Sequence, residues 1–254
     1  MALTSMDGYF SQVGANKTAI RPFSVETTAT TATMHTGQVS IYQNMGLISV
    51  MDSLPSGVTS FKLVGGRCRA STAGFYTVAK MVDLGNLTLA TPMFVDSGNT
   101  MPTLTEGNTS RVTSGAMFME TTVAFNATPG SFTVTYVDQD GNTAEASAST
   151  ALTASVAIGT MAPLVLNSND VGVRDVTDAT RTGGTTPSGT IKFWGVIPLA
   201  TFSIQSVTQG DIFNLTTSDL PPPNLGAGDS LYLIHTGAVA AKAAYGTLFF
   251  VGNT

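Results

Sequence analysis

Threonine occupies 40 of the 254 positions, and a chain that leans so heavily on one β-branched residue is restricted in what it can build. The second heavy atom on Cβ stiffens χ1 and suits the pleated, half-buried surface of a sheet better than a helix. Charged residues make up only 11% of the sequence and hydrophobic ones 43%, so the surface is assembled from hydroxyls, amides and apolar groups. Such a surface lacks the Lys and Glu that ordinarily keep sheet edges and flat faces apart. It suits a protein that lives inside an assembly better than one that diffuses alone.

At this length the chain can bury a sizeable core, as one large β domain or two smaller ones. The formal net charge is −5, and the basic residues are scattered from Lys17 to Lys242 without a run. Nothing in that pattern tracks a phosphate backbone, so nucleic acid is not expected as a partner. Cys68 is the single cysteine; it reads as a small buried strand residue, and no disulfide framework or cysteine-based metal cluster is available. The first residues lack the basic and apolar regions of a secretory signal, and no window approaches the roughly 18 apolar residues of a membrane span. Synthesis in a cytoplasm and no membrane partner are the expectations.

Along the chain, residues 1–36 are polar and Thr-rich without a period of two or of 3.6, which reads as an extended N-terminal arm containing Phe23 and Val25. Residues 37–110 read as a small β-rich domain, with short β-propense runs at 38–51, 60–64, 75–82 and 87–91 punctuated by Gly65-Gly66 and Gly85-Asn86. A stretch of Ser, Gly, Asn, Thr and Pro between Asp96 and Gly115 suggests a boundary. Residues 111–254 read as a β-sandwich domain. Met119, Thr121, Val123 and Phe125 share one face, Phe132, Val134 and Tyr136 another, and Pro129-Gly130 between them spells a hairpin turn. Further strands are expected at 144–149, 154–158, 164–166, 190–198, 203–207, 231–235 and 247–251, and Val171 to Asp178 reads as a strand with charge on its exposed side. The fold class is therefore all-β, with β-sandwich or jelly-roll-like modules behind an extended arm.

Motifs that could carry chemistry do not hold together. Gly228-Asp-Ser-Leu231 with His235 spells an esterase-like block, but Ser230 opens the alternation of a strand rather than sitting on a sharp turn before a helix. Asp138-Gln-Asp-Gly-Asn142 places its glycine and its twelfth residue wrongly for an EF-hand and reads as a hairpin turn. His35 and His235 have no ligand-spaced partners, and Gly183 to Gly189 lacks the lysine of a P-loop. No catalytic residue, cofactor or metal is assigned. Phe193 and Trp194, adjacent on a strand, point to opposite faces, so one is free to meet a second sheet or subunit. Pro221-Pro222-Pro223 makes a stiff extended segment, either a crossing loop or a docking contact. Phe23, Val25, Phe193, Trp194, Pro221, Pro222 and Pro223 are thus the candidate interface residues.

The blocks Pro129-Gly-Ser-Phe-Thr-Val-Thr-Tyr-Val-Asp-Gln-Asp-Gly-Asn-Thr143, Gly172-Val-Arg-Asp-Val-Thr-Asp-Ala-Thr180 and Ile191-Lys-Phe-Trp-Gly-Val-Ile-Pro-Leu199 resemble β-rich structural proteins of tailed-bacteriophage particles, over about residues 117–251. The resemblance implies a non-enzymatic virion component of the head-decoration or minor-capsid type, binding the major capsid protein and copies of itself as an oligomer such as a trimer. In that reading the arm laces into the shell, and removing residues 1–30 abolishes capsid binding while the β modules stay folded. The alternative is a tail- or fibre-associated module that binds a cell-surface glycan through exposed aromatics, with Tyr42, Tyr76, Trp194 and Tyr245 as candidates.

Overall fold

The structure is a computed structural model and describes residues 11–13, 16–27, 35, 38, 40–51, 57–90, 92–102, 104–105, 112–113, 115–185, 188–207, 210–214, 224–239 and 241–253. Every regular element among them is a strand. In chain order these are β1 (Ser11–Val13), β2 (Asn16–Glu26), β3 (Ile41–Val50), β4 (Ser60–Ala70), β5 (Gly74–Thr88), β6 (Met93–Val95), β7 (Leu104–Thr105), β8 (Val112–Thr113) and β9 (Ala116–Val123). They continue as β10 (Gly130–Asp138), β11 (Glu145–Ala146), β12 (Thr150–Leu152), β13 (Thr160–Pro163), β14 (Val173–Thr182), β15 (Thr190–Ile204), β16 (Asp211–Asn214), β17 (Ser230–Gly237) and β18 (Ala243–Asn253).

The strands form three main sheets, all paired antiparallel. One has the order β1-β2-β18-β4-β16. A second is centred on β10, with β11 and β12 along one edge and β14 along the other. The third runs β15-β9-β13-β3-β17-β5-β6, and β15 also pairs with β5 along nearly its whole length. That extra pairing closes β5, β17, β3, β13, β9 and β15 into a six-stranded barrel. Closure removes the edges that a sheet this apolar would otherwise expose.

Alternation along the strands explains how the layers stack. Phe132, Val134 and Tyr136 on β10, Leu248 and Phe250 on β18, and Phe193 and Ile197 on β15 all enter one continuous buried core that joins the three sheets. The opposite face of the barrel strands buries Ala79, Met81, Met161, Trp194, Val196 and Ile234 in a separate cluster. Tyr42 on β3 meets Phe118 on β9 at 5.9 Å between ring centroids, and Trp194 on β15 meets Tyr232 on β17 at 5.3 Å. Neither pair of strands is adjacent, so these contacts cross the lumen and identify the second cluster as the barrel interior.

Several expectations need correction. Residues 16–26 are not a free arm: β2 pairs with β18 over ten positions, from Lys17 opposite Gly252 to Glu26 opposite Ala243, and Phe23 and Val25 are buried. The polar pattern of this segment misled because Ile20, Pro22 and Ser24 face outward while Phe23 and Val25 face in. Nor does a boundary near residue 110 separate two β units, since the barrel draws β3 and β5 from one side of it and β9, β13, β15 and β17 from the other. Finally, β9 and β10 do not form a hairpin; β9 pairs with β13 and β15 in the barrel, and β10 pairs with β11, β12 and β14. Residues 154–158 form turns rather than a strand, with Ser155 at φ 58°.

The strand expected around Val171 to Asp178 is present as β14, with Val176 and Ala179 turned inward and Asp178 exposed. The Asp138 to Asn142 hairpin turn is also present, linking β10 to β11. Asp138 accepts the backbone N–H of Asp140 at 2.9 Å and of Asn142 at 2.8 Å, together with the Asn142 side-chain amide at 2.7 Å. Burial would raise its pKa, but these donors outweigh it and hold the carboxyl below its ordinary range. Gly141 takes φ 90° at the tight point of the loop.

Candidate functional site

The inner face of the five-stranded sheet belongs to the core. Its outer face stays open, with Ile20 49%, Tyr245 51%, Phe249 36% and Ile212 77% exposed. Register sets these side chains in rows across four strands. Ile20 lies opposite Phe249, while Ser24, Tyr245 and Arg69 form a second row, and Pro22, Thr247, Arg67 and Ile212 a third. Scattered single apolar residues on a surface are ordinary, whereas a contiguous set marks a contact.

Within this face a recess of about 480 Å³ opens between β4, β18 and β16, walled by Arg67, Arg69, Tyr245, Thr247 and Ile212. Gly246 lies at its floor, where an added Cβ would stand 2.0 Å from the Arg67 carbonyl oxygen on one side and 2.9 Å from the Phe23 ring on the other, so the neighbouring strands β4 and β2 leave no room for a side chain there. Arg67 and Arg69 are exposed, and among the described residues neither has an ion-pair partner; the pairs present are Lys80 with Asp229 and Lys192 with Asp83. Asp211 also borders the recess, but its carboxylate already accepts the backbone N–H groups of Ser203 at 2.9 Å and Ile212 at 2.8 Å. The recess therefore presents two uncommitted guanidinium forks beside an aromatic wall, an arrangement suited to carboxylates. Cys68 is buried beneath it, and burial first, then the nearby Asp211 charge, pushes its thiol up to about 12.

The sequence candidates are dispersed by the fold. Phe193 is fully buried in the main core and Trp194 is 6% exposed in the barrel interior, so neither lies on an open surface. Phe23 and Val25 line the inner face of the five-stranded sheet. Pro221, Pro222 and Pro223 lie outside the described residues. Of the aromatics that could stack on a glycan, Tyr76 and Trp194 are buried, Tyr42 is half-buried, and Tyr245 is exposed. The outer-face rows went unrecognised in the sequence because they combine residues from four distant segments; the strand expected at 247–251 was the visible part of the signal.

Ser230 and His235 make no hydrogen bond to one another. His235 is buried with its ring 4.9 Å from Tyr76, and burial lowers its pKa against a smaller opposing effect of the Ala73 backbone. Asp229 is committed to the Lys80 ion pair at 2.6 Å and accepts the Gly226 N–H at 2.9 Å. His35 is buried, accepts the Thr153 N–H at 3.2 Å, and is held by burial at a pKa of about 4. Among the described residues no group of three or more His, Cys, Asp or Glu side chains could hold a metal ion, and no helix is long and apolar enough to cross a membrane.

Glu120 on β9 pairs opposite Met161 and faces the barrel interior. Glu120 is 7% exposed and accepts the indole N–H of Trp194 and, at 3.2 Å, the Asn44 amide. Burial raises its pKa; the Trp194 and Asn44 hydrogen bonds and the Lys192 charge oppose the rise, and Asp83 adds to it. Because the folded pKa lies above the unfolded one, the protonated acid's contribution to stability is full below the unfolded value and is lost as pH rises through the folded value. Glu120→Gln should therefore gain on the wild type as pH is raised from 4 to 8. Melting temperatures of both proteins at several pH values test this, and a pH-independent difference would contradict it.

No protein-family model and no curated protein matches the chain. Among solved structures, similar chains include that of the infectious bursal disease virus Gx strain, at 11% identity and a TM-score of 0.21, covering 98% of this chain and 83% of that one. The Gt strain of the same virus gives 13% identity and a TM-score of 0.18, with 92% and 81% covered. The VP2 subviral particle of infectious bursal disease virus gives 13% and 0.18, with 93% and 81% covered. Likeness of this size does not establish a common fold, and function has to be argued from the chain's own surface.

Proposed function

We propose that this chain is a non-enzymatic structural subunit of a virus particle, docking onto the shell lattice and onto copies of itself. The observation that carries this reading is the open outer face of the five-stranded sheet, where Ile20, Tyr245, Phe249 and Ile212 stand exposed in register beside Arg67 and Arg69. Three strands of eleven residues and one of four, at about 4.8 Å spacing, span on the order of 600 Å². That approaches the roughly 800 Å² per partner of a standard protein interface. The low charge content of 11% and the resemblance of residues 117–251 to tailed-phage structural proteins support the same reading. Its finer form is a head-decoration or minor-capsid protein bound to the major capsid protein, with apolar burial on the outer face as the main source of affinity.

Copy number in purified particles, by quantitative mass spectrometry against the major capsid protein, is the test. A copy number comparable to that of the shell protein is expected. A few to a few tens of copies would move the chain to the tail or portal, and absence from particles would overturn the reading.

A further inference from the structure

The arginine recess has a counterpart on the same chain. Strand β14 pairs with β10 along one edge, and two bulges interrupt that ladder: Asp178 lies opposite Thr135 and Val176 opposite Tyr136, leaving Thr177 as the extra residue. The bulge brings Asp175 and Asp178 to ladder positions opposite Val137 and Thr135, two residues apart on one face. Two strand residues span about 7 Å, the same spacing that separates Arg67 and Arg69 along β4. Asp178 is exposed and Asp175 half-buried, and among the described residues neither has an ion-pair partner.

Each of these carboxylates caps one backbone N–H of its own edge, Asp175 that of Val176 and Asp178 that of Ala179, both at 2.8 Å and both through Oδ1. The second oxygen is left for a partner. The capped, bulged edge also resists strand addition, so β14 offers side-chain charge rather than backbone pairing. Burial raises the Asp175 pKa, and the Asp96 carboxylate adds to the rise, as expected of an acid whose charged neighbour has its own sign.

Resting on the structural-subunit reading, we infer that the Arg67–Arg69 recess of one copy receives the Asp175–Asp178 edge of a second copy of this chain. Two guanidinium forks meet two carboxylates at matched spacing, and Ile212 and Tyr245 shield the pairs from water. Because the two faces belong to different parts of the molecule, the contact is head-to-tail and propagates into rings or extended rows instead of stopping at a two-fold dimer. That is the kind of contact a lattice subunit requires.

The test is sedimentation velocity over a concentration series for the wild type, R67E/R69E, D178K, and a one-to-one mixture of the two variants. The wild type should associate, each variant alone should need at least ten times the concentration to do so, and the mixture should recover association as pairs, because the intact Asp175–Asp178 edge of R67E/R69E meets the intact Arg67–Arg69 recess of D178K. Raising salt to 0.5 M should weaken the wild-type contact. Circular dichroism and melting confirm folding, and R67Q/R69Q provides a neutral second variant, expected to be weakened without repulsion. Association of R67E/R69E at wild-type concentrations, or a mixture as dissociated as its components, would overturn the inference. A wild type that stays monomeric yet is abundant in particles overturns this contact and leaves the structural-subunit reading standing, whereas absence from particles removes that reading.

Discussion

Replacing Trp194 with alanine should cost about 5 kcal/mol of stability, a large share of the roughly 5–15 kcal/mol that holds a typical domain folded. Trp194 is 6% exposed inside the barrel, with Tyr232 at 5.3 Å between ring centroids and the Lys192 ammonium 4.8 Å above its ring. Truncating such a side chain costs about 3–5 kcal/mol in lost transfer energy and residual cavity. It also removes the N–H that Glu120 accepts, and a buried carboxylate stripped of a donor adds about 1–3 kcal/mol. Trp194→Phe separates the two contributions, since it keeps most of the ring packing and deletes the donor; its expected cost is about 2–3 kcal/mol. Urea unfolding followed by circular dichroism measures both variants, and the single tryptophan reports wild-type unfolding by fluorescence. A Trp194→Ala variant within 1 kcal/mol of wild type would show that the lumen does not hold the barrel together.

How much of this was legible in advance depends on whether a feature is local. Alternation made β10 and β17 readable, because every second residue in a half-buried strand is apolar and the period survives in one dimension, while β14, β15 and β18 showed as runs of β-propense residues. Cys68 in β4 and the Asp138 turn were readable for the same reason: each depends on a few neighbouring residues. Pairing was not. Phe125 and Phe132 flank a good turn signal at Pro129-Gly130, yet β9 is captured by β13 and β15, whose residues lie 40 and more positions away. Barrel closure through β15 and β5 joins Thr190 to Thr88 and Ile204 to Gly74, a relation with no trace in the local pattern. Phe193 and Trp194 were correctly assigned to opposite faces, but a closed barrel gives both faces something to bury against, so neither became a surface. The outer-face rows share that non-local character. Arg67, Thr247, Pro22 and Ile212 are unremarkable singly and become a site only when β2, β18, β4 and β16 are laid side by side.

Removal of residues 1–26 is the experiment on which the fold and the arm picture diverge most. A free arm could be cut away with loss of docking alone. In the structure the cut removes β1 and β2, and with them ten register pairs to β18. An antiparallel ladder of that length contributes about ten backbone hydrogen bonds, each worth about 0.5–1.5 kcal/mol net. Phe23 and Val25, both 7% exposed, would take with them about 1.5–3 kcal/mol of burial each. What remains is β18 as a new edge, eleven residues long and carrying Leu248, Phe249, Phe250 and Val251 in succession, which is the type of exposed apolar strand that templates aggregation. The truncated chain should therefore be recovered mainly as aggregate, with no cooperative melt in any soluble fraction. Phe23→Ala in the full-length chain should lose about 3 kcal/mol while remaining soluble, which ties the failure of the truncation to lost sheet structure. Truncated protein that is soluble and melts at the wild-type temperature would mean that β18 is held by β4 alone and that β2 is an appendage after all.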